Sequence, residues 1–193
     1  EGLRTLQIDD CTWGCLVDDD FIASFIEKSD RDKEVIRHEF AEKFLNINNR
    51  VFQDNPEDLV INTHVCRGNY ASTWFGQGGY DKIADELFGK EDVNAYYLEF
   101  DTERAGTFES LKKVSGEKKV VLGLITSKSP TLEEKEIVIN RIKEASKYVP
   151  LDRLYLSPQC GFASTEEGNR LTEEEQWAKL RFIKEIADEV WGK

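Results

Sequence analysis

Short apolar runs alternate with longer segments of helical spacing along this chain. The first run, residues 3–8, alternates apolar and polar positions and meets Asp9-Asp10. From about Asp19 to Val51, Phe21, Phe25, Ile36, Phe40, Phe44 and Ile47 fall at helical intervals, which predicts one long amphipathic helix. A second run, residues 59–63, leads into His64-Val65-Cys66, and a glycine-rich loop at 76–79 precedes a helix over 80–88 closed by Gly89. The third run, 95–98, ends at Glu99, with a short helix expected over 108–114. The fourth, 119–125, is followed by a helix over 132–148, where Thr131 and Glu134 match a capping box and Pro150 is the stop. The fifth, 154–156, leads to Ser157-Pro158-Gln159-Cys160-Gly161, and a last helix over 172–190 opens on a second capping box, Thr172 with Glu175.

Five strands each followed by helix predict a parallel sheet. In a (β/α)8 barrel the functional side chains sit at the C-terminal ends of the strands. Asp9, His64, Cys66, Glu99 and Cys160 all fall at or just past such ends. Five units cannot close eight strands, so the expected fold is the C-terminal portion of a TIM barrel. Residues 1–193 would then form one domain, with about three further units on its N-terminal side. The lack of any methionine and the almost immediate entry into a strand also read as part of a longer protein. The alternative is an intact flavodoxin-like domain, which also has five strands. Against it, the first strand leads to Asp9-Asp10-Cys11-Thr12-Trp13 and not to a phosphate loop.

With 193 residues, 39% of them hydrophobic, the chain can bury the core of one ordinary domain. A net charge of −12 argues against nucleic acid and anionic membrane surfaces as partners. No uncharged apolar run approaches the roughly 20 residues that span a bilayer, and the first residues do not resemble a secretory signal. The expected location is cytoplasmic. Four cysteines are too sparse for a disulfide scaffold, which leaves thiols or metal ligands.

His64-x-Cys66 is the sharpest local feature. Side chains at i and i+2 of an extended chain point the same way, and imidazole and thiolate are the preferred zinc ligands. Cys160 occupies an equivalent strand-end turn, and Glu99 ends the strand between them, so His64, Cys66, Glu99 and Cys160 would fill a tetrahedral shell. The residues alone also fit a buried His–Cys core pair, a solvated Glu99 and an Asp9 that merely caps a turn. Cys11 and Cys15 read as buried or loop thiols, His38 as a surface residue, and Trp74 and Phe75 as packing aromatics.

His64-Val65-Cys66, Tyr96-Tyr97-Leu98-Glu99 and Ser157-Pro158-Gln159-Cys160-Gly161 resemble, in order, the zinc motifs of the cobalamin-independent methionine synthase family. Leu6-Gln7-Ile8-Asp9-Asp10 is similar to that family's opening strand. Gly168-Asn169-Arg170-Leu171-Thr172 and Gln176-Trp177-Ala178-Lys179-Leu180 resemble its short single-barrel bacterial members. The resemblance implies a catalytic (β/α)8 barrel holding Zn2+ on His64, Cys66, Glu99 and Cys160, with Asp9 contacting the substrate amino group. It implies methyl transfer from a methylated folate to homocysteine, giving methionine. Partners would be small molecules, with monomer and homo-oligomer both left open. Other acceptors, a corrinoid donor and a non-catalytic zinc domain are the alternatives. Two departures stand out: Ile125-Thr126-Ser127-Lys128-Ser129-Pro130 replaces a His-Ser-Pro stretch, leaving the proton-handling role unassigned, and Asp10 replaces the usual glutamate.

Overall fold

A computed structural model describes residues 2–26 and 30–192. Five strands form one parallel sheet: β1 (Thr5–Asp9), β2 (Val60–Val65), β3 (Ala95–Glu99), β4 (Lys119–Ile125) and β5 (Leu154–Pro158). Their spatial order is β1-β2-β3-β4-β5, the order of the chain. Sequential order is what a barrel wall requires; a flavodoxin-like sheet would run 2-1-3-4-5. The sheet is therefore a partial barrel wall, with β1 and β5 as its edges.

Alternation along each strand divides the sheet into two faces. One face is apolar and covered by helices: Tyr96 and Leu98 of β3 and Val120, Leu122 and Leu124 of β4 lie in one buried cluster with Leu87, Phe88, Ile139 and Ile142. Each such side chain, fully buried, contributes about 1.5–3 kcal/mol. The other face carries Gln7, His64, Tyr97, Glu99 and Ser157, which border one cavity with the turn after β5. All the chemistry-bearing residues are on this second face.

The helices are α1 (Cys11–Leu16), α2 (Asp19–Ile26), α3 (Lys33–Val51), α4 (Ala84–Lys90), α5 (Lys135–Ala145) and α6 (Glu173–Trp191). Helix α1 is an addition to the expected elements; Asp10 caps it by accepting from the Thr12 amide. The single helix expected over residues 19–51 is two. Asp32 accepts from the amides of Glu34 and Val35 and so starts α3 afresh, while residues 27–29 lie outside the described ones. Buried Arg37 then ties the pieces together, donating to the Leu16 carbonyl, to Asp19 at 2.6 Å and to Glu34 at 3.0 Å. The segment expected as a helix over 80–88 is a 3-10 turn (Tyr80–Ile83) running into α4. The short helix expected after Glu99 is also 3-10 in form (Phe108–Lys113).

Helix α5 starts three residues later than its sequence match. The Thr131 carbonyl accepts from Lys179 Nζ at 2.7 Å and Glu133 accepts from the Thr126 amide at 2.7 Å, which holds residues 131–133 outside the helix and leaves Glu134 as its N-cap, with no side-chain cap bond. The other match holds: Thr172 and Glu175 form a reciprocal capping box at the start of α6. Among the described residues, no helix is long and apolar enough to cross a membrane.

Candidate metal centre

Parallel register brings the strand ends level. Asp9 of β1 lies opposite His64 of β2, His64 opposite Tyr97 of β3, and Glu99 opposite Gly123 of β4. A side chain at Gly123 would meet the Leu98 carbonyl oxygen at 2.7 Å and the Gln159 Cα at 3.5 Å, so glycine lets the turn after β5 close over Glu99. Cys66 follows β2 by one residue and Cys160 follows β5 by two.

His64, Cys66, Glu99 and Cys160 are thereby gathered from three strand ends, with their donor atoms all within 4.8 Å of one another. His64 Nε2 lies 3.3 Å from Glu99 Oε1, the Cys160 thiol donates to the same oxygen at 2.7 Å, and the two sulfurs are 3.5 Å apart. Zinc bonds of about 2.0–2.3 Å in tetrahedral array separate imidazole nitrogen from carboxylate oxygen by about 3.4 Å, and two thiolates by about 3.8 Å. The His64–Glu99 spacing matches and the sulfur pair falls about 0.3 Å short, while the Cys160–Glu99 contact would have to open. The donor set thus fits zinc in chemistry and in scale.

Three of the donors, His64, Glu99 and Cys66, are held by partners behind them. His64 Nδ1 is bound to Asp9 Oδ1 at 2.7 Å, which leaves Nε2 as the donor facing the cluster. Glu99 presents Oε1 to the cluster, while Oε2 accepts from Gln159 Nε2 at 3.3 Å and lies 3.6 Å from Arg104 Nη2. The Glu99 amide donates to the Tyr80 hydroxyl at 3.1 Å, and the Gly68 amide donates to Cys66 Sγ at 3.3 Å.

Burial disfavours a charged His64 ring, but hydrogen bonds to Asp9 and Glu99 outweigh it and raise the pKa to about 10. Burial likewise works against ionised Glu99, yet His64, the Lys128 ammonium and the Cys160 thiol hold it down at about 2. The hydrogen bond from Cys160 draws Cys66 down to about 6 against its burial, and the same contact pushes Cys160 up. The cluster therefore stores negative charge among cationic and hydrogen-bonding neighbours.

The cavity beside it measures about 210 Å³ and is bordered by Gln7, His64, Tyr97, Glu99, Ser157, Gln159 and Cys160, among others. That suits a small polar ligand better than a drug-sized one. Asp9, beside the cavity-lining His64, has a side chain 65% exposed and engages that ring through one oxygen. Cys11, expected as a buried or loop thiol, is instead exposed at the first residue of α1, and its sulfur falls within 4.8 Å of Cys66 Sγ and the Asp9 carboxylate. Cys15 is half-buried and lines a separate apolar pocket with Phe21, Phe25, Phe40 and Phe44. His38 is half-exposed and bound to Glu86 at 3.0 Å. Trp74 carries the Arg104 guanidinium on its face, and Phe75 meets Phe21 edge-on. The sequence alone does not single out Arg104, Gln159 or Lys128; nearness to a strand end is their only local signal.

Residues 7–189 match the family model described as cobalamin-independent synthase, catalytic domain. The chain is 47% identical over 191 residues to the Bacillus subtilis (strain 168) uncharacterized protein YxjG, covering 98% of this chain and 49% of that protein. Methionine synthase of Pyrococcus horikoshii is 28% identical over 103 residues, 53% of this chain and 27% of that protein. Among solved structures, the putative vitamin-B12 independent methionine synthase from Listeria monocytogenes superposes with a TM-score of 0.71 at 38% identity, over 100% of this chain and 50% of that one. The chain spans about half the length of the full-length relatives it matches.

Proposed function

The chain belongs to the cobalamin-independent synthase family, over its catalytic domain, and from that premise we propose that it serves a zinc-dependent transfer of a methyl group to the sulfur of homocysteine, giving methionine. A methylated folate is the proposed donor. The reading rests on one observation above the others: an imidazole, two thiols and a carboxylate converge within 4.8 Å beside a small polar cavity.

His64, Cys66, Glu99 and Cys160 would hold the zinc. When bound, zinc supplies the positive charge that keeps a thiol deprotonated at neutral pH, where a free thiol of pKa near 8.5 is mostly protonated. Two thiolates and a carboxylate outweigh a divalent charge by one, so the site stays electron-rich and leaves a substrate sulfur nucleophilic. Asp9 would fix the His64 tautomer through Nδ1, and its second oxygen, on a side chain 65% exposed, would accept from the substrate ammonium. Glu99 would be the donor best able to give way to a substrate sulfur, since Gln159 and Arg104 would retain its other oxygen.

The sheet edges at β1 and β5 suit a whole barrel to which this chain contributes five units, so residues 1–193 alone are expected to be inactive. The test is metal analysis of the full-length protein, followed by methyl transfer from methyltetrahydrofolate to homocysteine. Stoichiometric zinc and methionine formation, both lost in Cys160→Ser, are the expected results. Full turnover after complete zinc removal would overturn the reading.

A further inference from the structure

Resting on that reading, we propose that Lys128 reads the carboxylate of the acceptor, making the site selective for an α-amino acid over a simple thiol. Lys128 lies in the turn after β4, half-buried, with Nζ 3.3 Å from Gln159 Oε1. Gln159 borders the cavity and donates to Glu99. The ammonium is thus one side chain removed from the donor cluster, on the β4–β5 side, whereas Asp9 stands on the β1 side. An amino acid bound by its sulfur at the cluster can present its ammonium to Asp9 and its carboxylate to Lys128.

Accessibility and spare donors single out this lysine. The other cations at this end are nearly covered. Arg104 donates to Asp101 at 3.0 Å and to the Gly76 carbonyl at 2.9 Å, and it stacks on Trp74. Arg67, almost fully buried, donates to the Gly78 carbonyl at 2.7 Å and to the Tyr80 hydroxyl at 3.3 Å. Among the described residues, Lys128 has no carboxylate at ion-pair distance, and its ammonium meets only the Gln159 amide oxygen. Two of its three donors are left over. Its charge meets the Glu99 carboxylate only beyond ion-pair distance, so its spare N–H donors remain for the anion of a ligand.

The turn that carries it is held firmly. The Thr126 amide donates to Glu133 at 2.7 Å, the Thr126 hydroxyl to Gln159 Oε1 at 2.9 Å, and Asn169 Nδ2 to the Ser127 carbonyl at 2.7 Å. The Lys128 amide itself donates to the Thr126 hydroxyl at 3.2 Å. Such anchoring favours a defined binding role over a freely moving surface charge.

The test is calorimetric binding of homocysteine and of 3-aminopropanethiol, its counterpart without the carboxylate, to the zinc-loaded full-length protein. Wild type should prefer homocysteine. Lys128→Met should weaken homocysteine by about 10–100-fold, the range of a charged hydrogen bond, and leave 3-aminopropanethiol unchanged. Lys128→Gln, which keeps a polar end beside Gln159, should do the same, and Lys128→Arg should recover part of the loss. Equal weakening of both ligands would overturn the proposal, as would unchanged homocysteine binding with only turnover lowered. If wild type binds neither thiol, the thiol-methylation reading itself falls. If wild type binds both equally, only the role of Lys128 falls.

Discussion

Asp9 and His64 are paired twice over: they are register partners across the β1–β2 ladder, and their side chains join through Oδ1 and Nδ1 at 2.7 Å. The backbone pairing fixes the side-chain contact, because opposed residues of a parallel ladder project to the same face. An expectation of substrate contact at Asp9 is therefore joined by a second role, orienting a donor ring.

Asp9→Asn should lower zinc affinity about 10–100-fold, the usual cost of losing such an outer partner. The fold should survive, because this side chain is largely exposed. Competition with a chromophoric chelator measures the affinity; an unchanged value would remove the orienting role.

Cys160→Ser should roughly halve the sulfur-to-metal charge-transfer absorption of the cobalt(II)-substituted protein, since thiolate sulfurs are its soft donors and only Cys66 would remain. Cys15→Ser should leave that spectrum unchanged. Equal spectra for Cys160→Ser and wild type would place Cys160 outside the metal shell.

Glu91 predicts a pH dependence of stability. Burial raises its pKa from the ordinary 4.5 to about 7, against hydrogen bonds from Asn48 and Trp13. As pH rises above 4.5 the unfolded chain ionises first, so stability falls until about pH 7 and levels beyond it. The loss is at most about 3 kcal/mol. Urea unfolding at about pH 5 and about pH 8 should show this loss in wild type and a smaller one in Glu91→Gln. Parallel changes in the two proteins would rule it out.

Two glycines make opposite predictions. A Cβ on Gly14 would meet the Cys66 carbonyl oxygen at 2.2 Å, a backbone atom that can move only with the ligand loop. Gly14→Ala should destabilise by about 1–3 kcal/mol, as overpacking does, and weaken zinc binding with it. A Cβ on Gly89, inside α4, would have nothing within 4 Å of it, so Gly89→Ala should stabilise by about 0.5–1 kcal/mol. Thermal unfolding of the two variants separates them.

Much of the fold is legible in local pattern. Residues 119–125 are strand as their apolar run predicts, and Thr172 with Glu175 cap α6 as their spacing predicts. The donors can be named because His64, Cys66, Glu99 and Cys160 are chemically distinctive and stand at strand ends. The start of α5 is not legible, because it depends on a partner distant in sequence, Lys179 at the Thr131 carbonyl, whereas the restart at α3 has a local signal in the Asp32 cap that the apolar spacing across 19–51 masks.

By itself, then, the chain order of residues determined the strands, most helix ends and the identity of the donors, since these depend on periodicity and side-chain chemistry within a few residues. Tertiary structure alone decided the sequential strand order, the convergence of donors 94 residues apart such as Cys66 and Cys160, the bond between Asp9 and His64, and the contact of Lys128 with Gln159. Those are distances through space, which depend on register and packing over the whole sheet and leave no trace in any short stretch of sequence.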